Sequence, residues 1–184
     1  MLFEGQHILV AYFSKGGENL IDGKVVDLGA EGNTKKVAEL LAKSMGQGDL
    51  MEIKPLVPYS LKYAECVKRT KDEKDANGRP QLDLPAGRIQ GYDMVFLCYP
   101  NWWGTCPMAV LSFLDHYKDD LKGLPIIPVV THGGQRSLYS VADIQAEVPD
   151  SVTFPSLEIA AAYMSGAEER VTTYLEQMTE GTAL

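Results

Sequence analysis

Three short apolar segments constrain the fold of this chain more than any other feature of its sequence. They are residues 7–13, 94–99 and 126–130, and almost every position in them is apolar. A strand in an antiparallel sheet with one wet face would alternate apolar and polar residues, whereas a parallel strand covered by helices on both faces is apolar throughout. The three segments therefore predict the central strands of a buried parallel sheet.

Helical patterns separate these segments and give an alternating order of strands and helices. Two further strands are predicted at residues 50–53 and within residues 152–159. Helices are predicted at residues 32–46, 60–75, 109–114 and 138–147 and around residues 171–178. Gly46 suits the left-handed residue that commonly follows a helix. The predicted fold class is α/β: a single doubly wound domain over residues 1–184, with a five-stranded parallel sheet and helices on both faces.

Length and charge limit the domain count and the partners of this chain. A chain of 184 residues is long enough for one domain with a single core. Its net charge of −8 argues against nonspecific binding to nucleic acid, which depends on Lys and Arg neutralising phosphates. An acidic surface favours a basic protein as partner.

The cysteines and the N-terminus bear on the cellular compartment. Cys66, Cys98 and Cys106 form neither a disulfide framework nor a zinc pattern. The N-terminus lacks a basic signal region, and no apolar run approaches the roughly 18 residues that cross a bilayer. We therefore expect a cytoplasmic protein that does not enter a membrane, and the sequence leaves its oligomeric state open.

Polar segments follow the three apolar runs where the predicted strands end. Ser14 follows the first run, residues 100–104 follow the second, and residues 131–135 follow the third. The carboxyl ends of parallel strands are where open α/β sheets bind ligands. The sequence therefore predicts a ligand site at this edge of the sheet.

The start of the first predicted helix, at Asn33 and Thr34, is the candidate phosphate site. Free backbone N–H groups, a hydroxyl and the positive end of the helix dipole bind phosphate without a formal positive charge. Asn and Thr also begin helices for structural reasons alone, so an ordinary N-cap is the alternative.

The second polar segment contains Pro100, Asn101, Trp102, Trp103 and Gly104. Two adjacent tryptophans cannot both point into the same core, so at least one should be partly exposed or cover a planar ligand. Pro100 restricts the backbone, and Gly104 allows a ligand to come close to it. Packing at an interface, or simple packing between a helix and this loop, is the alternative. The sequence does not say which tryptophan stacks on a ligand.

The third polar segment contains Thr131, His132, Gly133, Gly134 and Gln135. The imidazole would stabilise a ligand ring that becomes anionic on reduction, especially if it were protonated. A structural histidine is the alternative. No Ser–His–Asp arrangement and no nucleophile elbow is evident, so no residue is assigned a catalytic role.

The order of these motifs resembles the flavodoxin-like family over nearly the whole chain. The matching segments are Ser14, Gly32-Asn33-Thr34-Lys35-Lys36, Pro100-Asn101-Trp102-Trp103-Gly104-Thr105 and Thr131-His132-Gly133-Gly134. In that family the first loop binds the phosphate of FMN, and the other two flank the isoalloxazine ring. The resemblance implies that FMN is the cofactor. It also implies that Ser14, Asn33 and Thr34 face the phosphate, with residues 100–104 and 131–135 on either side of the ring.

The function implied by the resemblance is electron transfer by an FMN-binding flavoprotein between redox partner proteins. Two alternatives stay open. One is an FMN-dependent NAD(P)H:quinone oxidoreductase, and the other is a binding module that keeps the fold but has lost the cofactor. The sequence assigns neither an electron donor nor an electron acceptor.

Residues 15–31 depart from the family pattern, in which the phosphate loop is compact. This stretch is rich in glycine and charge and is too short to fold alone, so we expect an inserted loop that is disordered on the surface. If it folded inward, phosphate binding would be weakened or lost. A lid or a contact with a partner protein is a further alternative.

Overall fold

A parallel β-sheet forms the centre of the computed structural model, which describes residues 3–85, 88–136 and 139–181. In chain order the strands are β1 (Ile8–Tyr12), β2 (Glu18–Ile21), β3 (Lys24–Asp27), β4 (Asp49–Glu52), β5 (Lys54–Pro55), β6 (Leu82–Asp83), β7 (Met94–Pro100), β8 (Pro125–His132), β9 (Val152–Thr153) and β10 (Leu157–Ala160). The helices are α1 (Asn33–Met45), α2 (Tyr63–Asp75), α3 (Met108–Tyr117), α4 (Ser140–Glu147) and α5 (Ala167–Thr179), and a 3-10 helix (Ala161–Gly166) precedes α5.

The strands of the central sheet run in the order β4-β1-β7-β8-β10, and every pairing is parallel. Counted along the chain this is the 2-1-3-4-5 order of flavodoxin-like sheets. The predicted five-stranded parallel sheet is confirmed. Its fifth position is divided between β9 and β10, which both pair with β8. Pro155, which cannot donate a hydrogen bond to the sheet, lies between these two strands.

The apolar runs are continuous because each central strand contributes to two cores. In β1, Leu9 and Ala11 pack in the core on the side of α3, whereas Val10 and Tyr12 pack in the core on the side of α1 and α5. All five residues of β1 are buried. This alternation between two dry faces explains why the strand has no polar positions.

The helices lie close to their predicted bounds. Gly46 follows α1 with a φ of 69°, the left-handed conformation that was predicted. Helix α2 begins at Tyr63, later than the predicted residue 60, because the Ser60 hydroxyl accepts a hydrogen bond from the backbone N–H of Lys62 (3.1 Å) and holds a turn there. The predicted start of α4 at Leu138 lies outside the described residues. Within the described ranges, no helix combines the length and apolar character that a membrane span requires.

Residues 15–31 do not form a disordered surface loop, and that prediction was wrong. Strands β2 and β3 pair antiparallel as a hairpin, with Leu20 opposite Val25. Asp22 and Gly23 form its two-residue turn, with φ angles of 47° and 76°. An Asp-Gly pair between apolar residues is a strong hairpin signal, because this turn needs positive φ at both positions.

Candidate functional site

A cavity of about 760 Å³ lies at the carboxyl edge of the sheet, where the three predicted loops meet. Its volume falls within the range of roughly 300–1,000 Å³ that is usual for small-molecule sites. Twelve of the thirteen residues predicted to hold the cofactor line it: Asn33, Thr34, Pro100, Asn101, Trp102, Trp103, Gly104, Thr131, His132, Gly133, Gly134 and Gln135. The structure therefore brings together loops that are up to about 100 residues apart, and the role of these residues as cofactor ligands stays a prediction.

Ser14, the thirteenth residue, lies beside the helix start and is not part of the cavity lining. Its hydroxyl accepts a hydrogen bond from the backbone N–H of Lys35 (3.1 Å). Ser14 therefore caps the N-terminus of α1, although it lies well before that helix in the sequence. A Cβ atom at Gly32 would lie 2.3 Å from the carbonyl oxygen of Lys15 and 2.5 Å from the Ser14 hydroxyl. Glycine is required there because two backbone segments approach so closely. The end of β1 and the start of α1 thus converge despite the insertion.

The N-terminus of α1 faces the cavity with donors suited to an anion. Gly32, the residue before the helix, has no side chain that could cap the first backbone N–H groups. Asn33 and Thr34 both line the cavity. The Lys35 N–H is bonded to Ser14, and the N–H groups that precede it, together with the helix dipole, favour a phosphate at this position. The ammonium of Lys35 is paired with the carboxylate of Glu31, so it is engaged within the protein.

A buried hydrogen bond joins the first and third loops. The hydroxyl oxygens of Thr34 and Thr131 are 2.8 Å apart, and these residues are only 2% and 4% exposed. Buried polar groups of this kind are costly unless paired, so each hydroxyl stabilises the position of the other. The bond holds the start of α1 against the end of β8.

Asn101 joins the second loop to the third and leaves one acceptor free. Its side-chain N–H donates to the carbonyl oxygen of Gln135 (2.7 Å), and its backbone N–H donates to that of Thr131 (2.7 Å). Its side-chain oxygen is buried and has no partner among the residues that the structure describes. A buried acceptor without a partner costs free energy unless something supplies a donor. This oxygen is therefore suited to a ligand N–H group.

The two tryptophans have different surroundings. Trp102 packs edge-to-face on Phe13 and Tyr59, with ring centroids 5.2 Å apart in both pairs. Trp103 is 42% exposed, and its indole N–H donates to the hydroxyl of Thr70 (3.1 Å). The expectation that one tryptophan is partly exposed is therefore met by Trp103, while Trp102 is tied to the core.

The side chain of His132, in the third loop, is nearly buried, with 8% of its surface exposed. Burial lowers its pKa from the ordinary value of 6.5, although the Glu158 carboxylate 4.0 Å away acts in the opposite direction. The imidazole is therefore neutral at pH 7. The role of His132 beside a reduced ring stays a prediction.

The hairpin and α2 contribute residues to the cavity that were not predicted from the sequence. Leu20, Ile21 and Asp22 line it from the hairpin, because the insertion folds inward. Asn33 and Thr34 at the start of α1 still line the cavity, so the hairpin leaves the candidate phosphate site accessible. The Asp-Gly turn signal could have revealed the hairpin, although not its direction. Thr70 and Tyr139 also line the cavity, and no local pattern marks them.

The family of the chain follows from a family model that matches most of its sequence. The family model described as Flavodoxin matches residues 7–178. The chain belongs to the flavodoxin family. This confirms the resemblance drawn from the loop motifs and supports FMN as the cofactor. No curated protein matches the chain.

Solved structures agree with this assignment. A candidate flavoprotein from Bacteroides eggerthii DSM 20697 is 27% identical with a TM-score of 0.74, and the match covers 95% of this chain and 99% of that one. A flavoprotein in complex with FMN from Lactobacillus acidophilus NCFM is 17% identical with a TM-score of 0.66, over 84% and 93% of the two chains. An NAD(P)H:quinone oxidoreductase from Methanothermobacter marburgensis is 10% identical with a TM-score of 0.53, over 94% and 96%. At these low identities the last two bear on the fold alone.

Proposed function

We propose that this member of the flavodoxin family binds FMN in the cavity at the carboxyl edge of the sheet and carries electrons between redox partners. The observation that carries the proposal is the convergence of three distant loops on one cavity of about 760 Å³. Membership of the family and the fold shared with a flavoprotein that holds FMN support it further.

The residues of the cavity fit both ends of FMN. The N-terminus of α1, at Asn33 and Thr34, would hold the phosphate through backbone N–H groups. The buried side-chain oxygen of Asn101 would accept a hydrogen bond from an N–H group of the flavin ring. The partly exposed indole of Trp103 offers an aromatic wall.

Bound FMN would supply the redox chemistry, while the protein sets affinity and access. Asn101 fixes the spacing of the second and third loops through its bonds to Gln135 and Thr131. Burial lowers the pKa of His132, which favours a neutral imidazole beside the ring at pH 7. Net charge −8 favours a basic partner protein through electrostatic steering.

The NAD(P)H:quinone oxidoreductase alternative is favoured by the apolar rim of the same cavity. Tyr139 is 61% exposed, Leu20 is 43% exposed, and both line the cavity beside Trp103. Such a rim suits a planar acceptor that would lie against the flavin.

NAD(P)H oxidation by the FMN-loaded protein separates these functions. Dithionite should bleach the visible flavin absorption in either case. If the protein is a carrier, NADH or NADPH should be oxidised only when a separate reductase is added. Adding a soluble quinone should not change that result. Rapid NAD(P)H oxidation by the protein and a quinone alone would contradict the carrier role and support the enzyme. No spectral change on adding FMN would leave only the binding module.

A further inference from the structure

The hairpin formed by β2 and β3 spans the cavity from the start of α2 to the loop after β8, and its base is firmly held. The Lys15 ammonium is buried and donates to the carbonyl oxygens of Gly16 (3.0 Å) and Glu18 (2.7 Å). The Glu18 carboxylate accepts hydrogen bonds from the Lys62 ammonium (2.8 Å) and from the backbone N–H of Tyr63 (2.9 Å). The base is therefore held together by Lys15 and fixed to the start of α2.

The tip of the hairpin is held far more lightly. In residues 3–85, 88–136 and 139–181, one hydrogen bond joins it to the body, from the backbone N–H of Asp22 to the carbonyl oxygen of Gly133 (2.8 Å). All four residues of β3 are exposed, so this strand buries little surface against the body. Few buried contacts and exposed hydrogen bonds are the features of segments that open locally.

The position of the tip is matched to a glycine of the third loop. A Cβ atom at Gly133 would lie 1.9 Å from the carbonyl oxygen of Leu20. Any side chain at residue 133 would therefore push the hairpin away from the loop. Leu20, Ile21 and Asp22 line the cavity assigned to FMN, so displacing the tip would change access to that cavity.

We propose that the hairpin is a hinged lid on the cofactor site, which turns at its base and detaches from Gly133 when FMN enters or leaves. The proposal rests on the proposed function, because the lid covers the cavity assigned to FMN. Lids of this kind enclose a ligand and set the rates at which it binds and dissociates.

Two variants test the lid, with one matched control. Gly133→Ala places a methyl group against Leu20 and weakens the attachment of the tip. Removal of residues 18–28 takes the lid away, and the cut ends lie side by side because the backbone N–H of Gly17 donates to the carbonyl oxygen of Gly29 (2.7 Å). Gly166→Ala is the control, since a Cβ atom there meets nothing within 4 Å and φ is −100°.

Stopped-flow fluorescence with FMN gives the association and release rates of each protein. We expect both rates of Gly133→Ala to rise by about 2- to 13-fold, the factor that corresponds to one neutral hydrogen bond. The shortened protein should bind and release FMN at least as fast as Gly133→Ala. Adding Gly133→Ala to the shortened protein should change nothing further, because the two changes act through the same element. The control should match the unaltered protein.

Amide hydrogen exchange tests the lid without FMN. Exchange of the Asp22 amide should accelerate in Gly133→Ala, while amides in the core strand β7 keep their protection. This measurement keeps the proposal testable if the shortened protein fails to fold. Unchanged FMN rates in Gly133→Ala together with unchanged exchange at Asp22 would overturn the lid. A further effect of Gly133→Ala in the shortened protein would also overturn it, since residue 133 would then act on FMN directly. An unaltered protein that binds no FMN would overturn the proposed function and the lid with it.

Discussion

The buried hydrogen bond between Thr34 and Thr131 allows a quantitative test of how two of the loops are held together. The hydroxyl oxygens are 2.8 Å apart in a nearly dry environment. Thr34→Val keeps the shape of the side chain but leaves the hydroxyl of Thr131 without its partner. A buried polar group that loses its partner costs about 1–3 kcal/mol. We therefore expect each single change, Thr34→Val or Thr131→Val, to lower the free energy of unfolding by about 1–3 kcal/mol.

The double variant supplies the control for this prediction. Replacing both hydroxyls with methyl groups removes the pair without leaving a buried donor or acceptor, and such changes are close to neutral. We expect the double variant to be more stable than either single variant. Urea unfolding of the protein without FMN measures these free energies. Because the free energy of unfolding falls by about 1–3 kcal/mol per molar urea, a loss of about 2 kcal/mol should lower the urea midpoint of a single variant by roughly 0.7–2 M. Single effects that add up in the double variant to within about 0.5 kcal/mol would refute the reasoning.

Three further predictions follow from the site and the core. Gly32→Ala should strongly lower the thermal unfolding midpoint, because its Cβ atom would meet the carbonyl oxygen of Lys15 at 2.3 Å. Gly166→Ala should leave the midpoint unchanged, because its Cβ atom meets nothing within 4 Å. Cys98 and Cys106, which are free and fully buried, should resist a thiol reagent at pH 8 until the protein is unfolded. Burial raises the pKa of both thiols, that of Cys106 to about 12, and rapid labelling of these two residues in the native protein would contradict this. Burial lowers the pKa of His132 in the native state, so the unfolded state binds this proton more tightly and the free energy of unfolding should fall as pH falls from 7 through 6.5. Urea titrations between pH 7 and pH 5 should show a smaller fall for His132→Gln than for the unaltered protein.

Much of the fold is predictable because the signals are local. Each position of β1 faces one of two dry cores, so the whole strand must be apolar. Gly46 marks the end of α1 through its left-handed backbone. The convergence of the three loops follows from the parallel order of the strands, since carboxyl ends of neighbouring parallel strands share one edge.

The parts of the site that could not be predicted depend on contacts between distant residues. Trp102 packs against Phe13 and Tyr59. Nothing in the Trp102–Trp103 pair itself identifies which of the two rings packs into the core. The Asp22-Gly23 turn indicates a hairpin, but its inward direction depends on the fit of Leu20 against Gly133. Thr70 reaches the cavity from α2 only through the packing of that helix.

The central claim is that the three loops form one site for a flavin ring and its phosphate. Titration of the protein, freed of any bound flavin, with FMN and separately with riboflavin tests it most directly, using flavin fluorescence and visible absorption. We predict saturation at one FMN per chain with quenched flavin fluorescence, and binding of riboflavin that is weaker by about tenfold or more because the N-terminus of α1 has no phosphate to hold. Equal affinity for the two flavins would contradict the phosphate site, and no change in either spectrum would contradict the claim as a whole.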